Sequence, residues 1–505
     1  MTSVIINPRR RIGRVHPHIF GSFIENLNTC IYGGVYDPSS PAADADGFRT
    51  DVIAAARAMG ISIVRFPGGC FAPFYHWKDG VGPRAQRPRT LYRKEEWPAN
   101  NEFGTDEFVL WCRKVGAEPF ICVNMGSGTP EEARDWVEYC NVPSGSRWAD
   151  LRRANGHDQP HNVKYWALGN EISGNWEFGH AETPEDYIRR TREYCRAIKH
   201  IDPSVKLVLA GSHFPLNHAH ADWNRKVVEE LWGMGDYISM HHYIGLMGRS
   251  GFGAGPSWKD LGPVKTHLRL SEYMMEVEEA FGVMRSAIRL VQHRKGSLER
   301  QFGAALTEYN PWYRCWGGDP AAALAKPYTL SDALLVAAYF NAFIRNADVA
   351  TLANMAQLVN VLPALMARPG TADFFRQTIS YAQEMFLPNR GRWSVDAWAD
   401  APTYKGEFFP EVPYLDVSAS VSEDGKTLVL NVANRDVTNA HELTTDVLGC
   451  RIGPMRGRLL THCDIDAQNS FENPTAVVPQ PFDIAPGGKI GLPPTSLVVL
   501  EGDLS

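Results

Sequence analysis

From His18 to Gln357 the chain alternates between short runs rich in β-branched and aromatic residues and stretches in which apolar residues return every three or four positions. The first pattern reads as strands buried on both faces, the second as helices with one apolar stripe. Eight strands are expected, at His18 to Glu25, Ile61 to Phe66, Glu118 to Asn124, Asn162 to Glu171, Val205 to Ser212, Asp236 to Tyr243, Phe302 to Asn310 and Asp348 to Gln357. Helices are expected near 51–59, 105–115, 130–139, 184–200, 272–291 and 331–346, with Gly60 and Gly116 as stop signals. This alternation predicts an α/β fold, a (β/α)8 TIM barrel rather than an open doubly wound sheet. No Gly-x-Gly-x-x-Gly follows a strand to favour a dinucleotide site.

Past about residue 380 the helical period disappears and alternation of period two takes over, as in Leu415 to Val421, Thr427 to Val432 and Ser496 to Leu500. That tail predicts a C-terminal β-sandwich. Ser3 to Asn7 looks like a lone strand, and the Pro and Arg residues after it make it a poor start for a barrel, so it is assigned to the sandwich. The expected division is a catalytic barrel over 14–378 and a β-sandwich built from 1–13 and 379–505.

Two of the expected strands end in a carboxylate beside a polar corner. Glu171 follows Gly169-Asn170, and Glu308 precedes Tyr309, Asn310, Trp312 and Tyr313. A lone glutamate at a strand end is more often a surface residue or a salt-bridge partner, but these two would sit on the fourth and seventh strands, facing each other across the mouth where barrel enzymes build their sites. Carboxyls roughly 5 to 5.5 Å apart can flank a glycosidic bond, one as nucleophile and the other as acid then base, with retention. Glu171, near Trp166 and Trp176, is read as the acid/base because an apolar wall raises a carboxyl pKa; Glu308 is read as the nucleophile. Asn170 is placed to reach a sugar hydroxyl. Phe74, Tyr75, Trp77, Trp176, Trp312 and Tyr313 suit stacking on sugar faces or, for some of them, the core.

The whole chain, 505 residues with formal net charge -6, offers no positive field for a polyanion. The basic clusters at Arg9 to Arg14 and Arg84 to Lys94 read as solvated faces, so no nucleic-acid partner is expected. Nine cysteines without a Cys-x-x-Cys pair point to reduced thiols and a cytoplasmic protein. No apolar run is long enough to span a bilayer, and the first residues lack a signal-peptide core, so no membrane partner is expected. His213, His218, His220, His241 and His242 fit no zinc signature, and neither a metal nor a cofactor is expected. Cys70 reads as a small wall of the pocket.

The ordered blocks His18-Ile-Phe-Gly-Ser-Phe-Ile-Glu-Asn, Arg65-Phe-Pro-Gly-Gly-Cys-Phe, Tyr75-His-Trp-Lys-Asp-Gly-Val-Gly-Pro-Arg, Asn101-Glu-Phe-Gly-Thr, Gly169-Asn-Glu, Met240-His-His-Tyr, Glu308-Tyr-Asn-Pro-Trp-Tyr and Ala353-Asn-Met-Ala-Gln-Leu-Val-Asn carry a resemblance along nearly the whole chain. The chain resembles glycoside hydrolase family 51, the retaining α-L-arabinofuranosidases. The resemblance implies an exo-acting, intracellular, hexameric enzyme without a metal that releases terminal arabinofuranosyl groups from arabino- or arabinoxylo-oligosaccharides. Its acid/base would be Glu171 and its nucleophile Glu308. Glu25, Cys70 and Asn170 would contact the furanose, and His241, Tyr243 and Gln357 would orient the nucleophile or the ring. The chain departs from the family in Thr307-Glu308-Tyr309-Asn310, where similar proteins carry Asp-Glu-Trp-Asn, and in the segments 172–176 and 245–262, which should border the leaving group. A β-xylosidase, an endoglucanase or a non-catalytic sugar-binding protein on the same scaffold are the rival readings.

Overall fold

The chain opens with a strand, β1 (Thr2–Arg14), that takes no part in the barrel built immediately after it. The next eight strands are β2 (Gly21–Phe23), β3 (Ile63–Phe66), β4 (Glu118–Val123), β5 (Tyr165–Leu168), β6 (Lys206–Leu209), β7 (Tyr237–Ile244), β8 (Gly303–Pro311) and β9 (Ala350–Ala356). Each lies parallel to the one before, and β9 returns to β2 through Gly21 and Asn354, closing the barrel. The computed structural model describes residues 2–91, 100–212, 221–245, 258–313, 324–325 and 327–505.

Alternation along the strands sorts the side chains into two cores. Ile63, Phe120, Cys122, Tyr165, Ala167, Val208, Ala305 and Leu352 fill the barrel interior. Their neighbours, such as Val64, Ile121, Trp166 and Leu306, face the surrounding helices. Helices at Thr50–Ala58, Thr105–Val115, Pro130–Asn141 and Pro184–Ile201 occupy the expected places. The one expected over 272–291 is two, Trp258–Tyr273 and Met275–Lys295. The helix Arg147–Ala154 was not expected, because its buried anchor is a cation rather than an apolar stripe: Arg152 donates to the carbonyls of Tyr139, Val142 and His157. Ala221–Glu230 was likewise not expected.

Eight strands of the tail and β1 form one nine-stranded hydrogen-bonded sheet. Residues near opposite ends of its strand order, Met455 and Ile490, share one core with Val4, Ile6, Val417 and Leu430, so the sheet closes over itself in two layers. The strand at the chain start is an interior member, antiparallel to Trp393–Asp400 on one side and parallel to His441–Val447 on the other. Its basic segment belongs to this strand, where Arg11 and Arg14 lie over the Trp393 ring and Arg14 pairs with Glu423.

The helix Leu330–Arg345 joins the two parts. It is apolar all round and buried nearly throughout, as a helix covered on every side must be. Two of its polar groups tie it to the sheet: Asn341 donates to Asp416 and accepts from Ser418, and Arg345 pairs with Asp416 as well as with Glu278 of the helix Met275–Lys295. Where β1 leaves the sheet, a Cβ on Gly13 would lie 2.4 Å from the backbone of Ala347, so only glycine lets the chain cross there.

Candidate active site

Six of the eight barrel strands are shorter than the apolar runs that announce them, and most of the polar residues of interest lie just past the strands' C-terminal ends. After β5 the backbone turns back at once: Gly169 has φ +87° and Glu171 φ +37°, both left-handed, a conformation a glutamate adopts only where its surroundings enforce it. That turn points the Glu171 carboxylate at His241, whose Nδ1 lies 2.9 Å from Oε1, while Trp176 Nε1 donates to Oε2 at 2.9 Å. Trp166, the other tryptophan read as a wall for Glu171, is elsewhere. Period two sends it to the outer face of β5, where it packs edge-on against Trp136 and its Nε1 donates to Val163 O.

Glu308 lies within β8 rather than at its end. Ala305 faces the barrel interior and Leu306 the helices, so strict alternation would carry Glu308 outward. A bulge intervenes. Met240 of β7 pairs with Leu306 but His241 pairs with Glu308, leaving Thr307 as the extra residue. The irregularity turns Glu308 inward and places the Thr307 hydroxyl 2.9 Å from His241 Nε2. With Thr307 donating to Nε2, the Nδ1 proton of His241 faces Glu171 at 2.9 Å and Glu308 at 3.5 Å. One oxygen each of Glu171 and Glu308 and the imidazole nitrogen lie within 4.8 Å of one another.

Donors converge on Glu308. Arg65, buried in β3, donates from Nη1 to Oε1 and from Nη2 to Asn170 Oδ1 at 2.6 Å, and Tyr243 Oη donates to Oε2 at 2.7 Å. Arg65 was not among the expected site residues. Its signal was present: an arginine inside the apolar run Ile-Val-Arg-Phe needs a buried anion. Glu177 was also missed, although Asn170 Nδ2 donates to its Oε2 at 3.2 Å and its carboxylate, the Cys70 thiol and Glu171 bring one atom each within 4.8 Å.

On the opposite wall Glu25 accepts from Phe71 N–H at 3.0 Å and from Gln357 Nε2 at 2.8 Å. The carboxylate rests on Gly68 and Gly69, where a Cβ at either position would come within 2.9 Å of Oε1. Burial, then the negative charge of Glu308, raises the Glu25 pKa to about 7. Burial and then Glu171 raise that of Glu177 to about 8, and burial keeps Cys70 a neutral thiol. The structure thus brings together Glu25, Cys70, Asn170, Glu171, Trp176, His241, Tyr243, Glu308 and Gln357. Of the aromatic residues, Tyr75, Trp77 and Tyr313 are buried, Trp312 meets the Tyr243 ring edge-on, and Phe74 stacks on Phe178 at the surface.

The two compact acid clusters are not cation sites in character, since an arginine, a tyrosine hydroxyl and an indole N–H already aim at their oxygens. His241 and His242 diverge, the latter facing outward to Tyr339 with its pKa lowered to about 4 by burial. His213, His218, His220 and the segment 246–257 lie outside the described residues.

Comparison with known proteins falls on this same frame. The α-L-arabinofuranosidase 1 domain matches residues 55–245, and the α-L-arabinofuranosidase C-terminal domain matches 307–496. A probable α-L-arabinofuranosidase C of Aspergillus clavatus is 35% identical over 87% of this chain and 86% of its own length. A solved structure from Bifidobacterium longum, described as a family 51 α-L-arabinofuranosidase, is 30% identical with a TM-score of 0.89, covering 99% of this chain and 98% of that one. The chain belongs to glycoside hydrolase family 51. It is a glycoside hydrolase of the α-L-arabinofuranosidase class. An intracellular exo-α-(1→5)-L-arabinofuranosidase of Halalkalibacterium halodurans is also similar, 34% identical over 88% of this chain and 87% of its own length.

Proposed function

We propose that the enzyme releases terminal non-reducing α-L-arabinofuranosyl groups from arabino- or arabinoxylo-oligosaccharides by double displacement with retention. The observation that carries this reading is the proximity of Glu171 and Glu308, with oxygens within 4.8 Å, the short spacing of a nucleophile and acid/base pair rather than the wide gap that houses a water in inverting enzymes. Glu308 attacks the anomeric carbon as Glu171 protonates the departing oxygen. The C–O bond to the leaving group breaks and an ester to Glu308 forms. Glu171 then takes a proton from water, whose oxygen displaces Glu308. Arg65 and Tyr243 hold the nucleophile, and His241 bridges the pair. Glu25, Cys70, Asn170 and Gln357 bind the furanose hydroxyls, and Trp176 lies on the leaving-group side.

The exo mode and a cytoplasmic location are supported by the printed name of the Halalkalibacterium halodurans relative and by the free state of all eight cysteines among the described residues. No helix among the described residues is long and apolar enough to cross a membrane. A hexamer is the proposed assembly, on family resemblance.

The test is Glu308→Ala assayed on α-L-arabinofuranoside, β-D-xyloside and β-D-glucoside. Activity of the wild type confined to the arabinofuranoside, a fall of about four orders of magnitude in the variant, and azide rescue giving the inverted glycosyl azide are expected. Substantial activity without Glu308 would sink the mechanism, and a preference for the xyloside would move the substrate class.

A further inference from the structure

Glu177 has no part in the mechanism above, yet it is buried in the site. The residue is 5% exposed, and one carboxyl oxygen, Oε2, accepts from Asn170. The other, Oε1, is buried without a nitrogen or oxygen donor, and the Cys70 thiol is the weak donor beside the carboxyl. A carboxylate in that setting is costly, and a negative neighbour makes it more so. The groups facing it are Glu171 and Asn170 from the turn after β5, and Cys70 from the loop after β3; the charges of Glu308 on β8 and Glu25 after β2 also reach it. The cation of the site, Arg65, is spent on Glu308 and on the far end of the Asn170 amide.

We propose that Glu177 and Glu171 form a carboxyl dyad that shares a proton, with Glu177 as a positioning residue that keeps Glu171 able to protonate the leaving group on the alkaline side of the working range. Two carboxyls with oxygens within 4.8 Å in a buried site do not both ionise readily, so one proton stays on the pair after a single carboxyl would have lost it. The coupling is reciprocal. The Glu171 charge raises the proton affinity of Glu177, and an ionised Glu177 raises that of Glu171 by the same amount. At high pH the singly protonated dyad therefore includes a form in which Glu171 carries the proton. With a neutral amide in place of Glu177 that form is lost, and the alkaline limb of the acid step moves to lower pH.

This inference rests on Glu171 being the acid. The experiment is the pH profile of kcat/KM for wild type and Glu177→Gln on an arabino-oligosaccharide, whose sugar leaving group needs protonation, alongside an aryl arabinofuranoside whose phenolate does not. The alkaline limb on the oligosaccharide is expected to fall by about one pH unit, with little displacement on the aryl substrate. An infrared difference band of a protonated carboxyl at neutral pH, lost in Glu177→Gln, should accompany it. An unmoved limb, or the absence of that band, would overturn the dyad. Glu177→Leu guards against a purely structural role, which would lower kcat in that variant while leaving the Glu177→Gln profile as in the wild type. Failure of the underlying reading shows separately: Glu171→Ala would then leave oligosaccharide hydrolysis intact.

Discussion

At the scale of single residues, the site is a set of carboxyls crowded around one arginine. Glu25 and Glu177 both hold their protons more tightly than free glutamates do, through burial first and a negative neighbour second. At these two positions the native protein therefore binds more protons than the unfolded chain above about pH 4.5, and their contribution to stability falls as pH rises toward about 8. Glu177→Gln should flatten that fall: melting temperatures of variant and wild type are expected to agree near pH 5 and separate by pH 8, the variant being more stable there by about 1–3 kcal/mol. A wild type whose stability curve matches the variant's across that range would contradict it. Glu171 and Glu308 were legible in the sequence because each closes an apolar run at a polar corner. Arg65 and Glu177 were not. The first is embedded in a strand and the second follows a loop tryptophan, and only the folded turn of Gly169 to Glu171 shows which anion and which amide they meet.

The elements were readable where burial is apolar and periodic, and obscure where it is polar or irregular. All eight barrel strands lie within or close to the expected runs, since strands covered on both faces cannot hide their composition. The bulge at Thr307 could not be foreseen, because alternation alone would send Glu308 to the helices. The Gly68-Gly69 corner, recognisable as a break, proves to be the floor under Glu25. Gly69→Ala should push that carboxylate off Gln357 and Phe71, raising KM about tenfold or more for every arabinofuranoside tested while the melting temperature changes little. Equal KM values would show that Glu25 does not touch the sugar. Phe74 and Phe178 stack at 4.7 Å and are both exposed, Phe178 two residues past Trp176, which is proposed above to lie on the leaving-group side. Removing one ring with Phe178→Ala should raise KM about fivefold for an oligosaccharide and leave it unchanged for methyl arabinofuranoside. Equal effects on both would place the pair outside the leaving-group site.

For the whole molecule, the barrel and the period-two tail were each evident, but the place of β1 was only half so. The run Ser3 to Asn7 belongs to the sheet, as its flanking Pro and Arg residues suggested, yet it is an interior strand with neighbours on both sides. Pairing between segments so far apart leaves no local mark on either. Deleting 2–12 should therefore open the sheet between Trp393–Asp400 and His441–Val447 and expose the core around Val4 and Ile6. Loss of cooperative melting and dye binding to exposed apolar surface are expected, whereas deleting the edge strand Gln480–Ile484 should lower the melting temperature only moderately. A truncated protein that melts like the full chain would show β1 to be dispensable.

The interior position of β1 also sets an order of events at the ribosome. This strand leaves the exit tunnel before any strand of the barrel, yet its neighbours are translated only after the entire barrel. The barrel can gather its core while synthesis continues, but the sheet waits for the tail, and until Trp393–Asp400 and His441–Val447 emerge β1 presents two unpaired edges to whatever lies nearby.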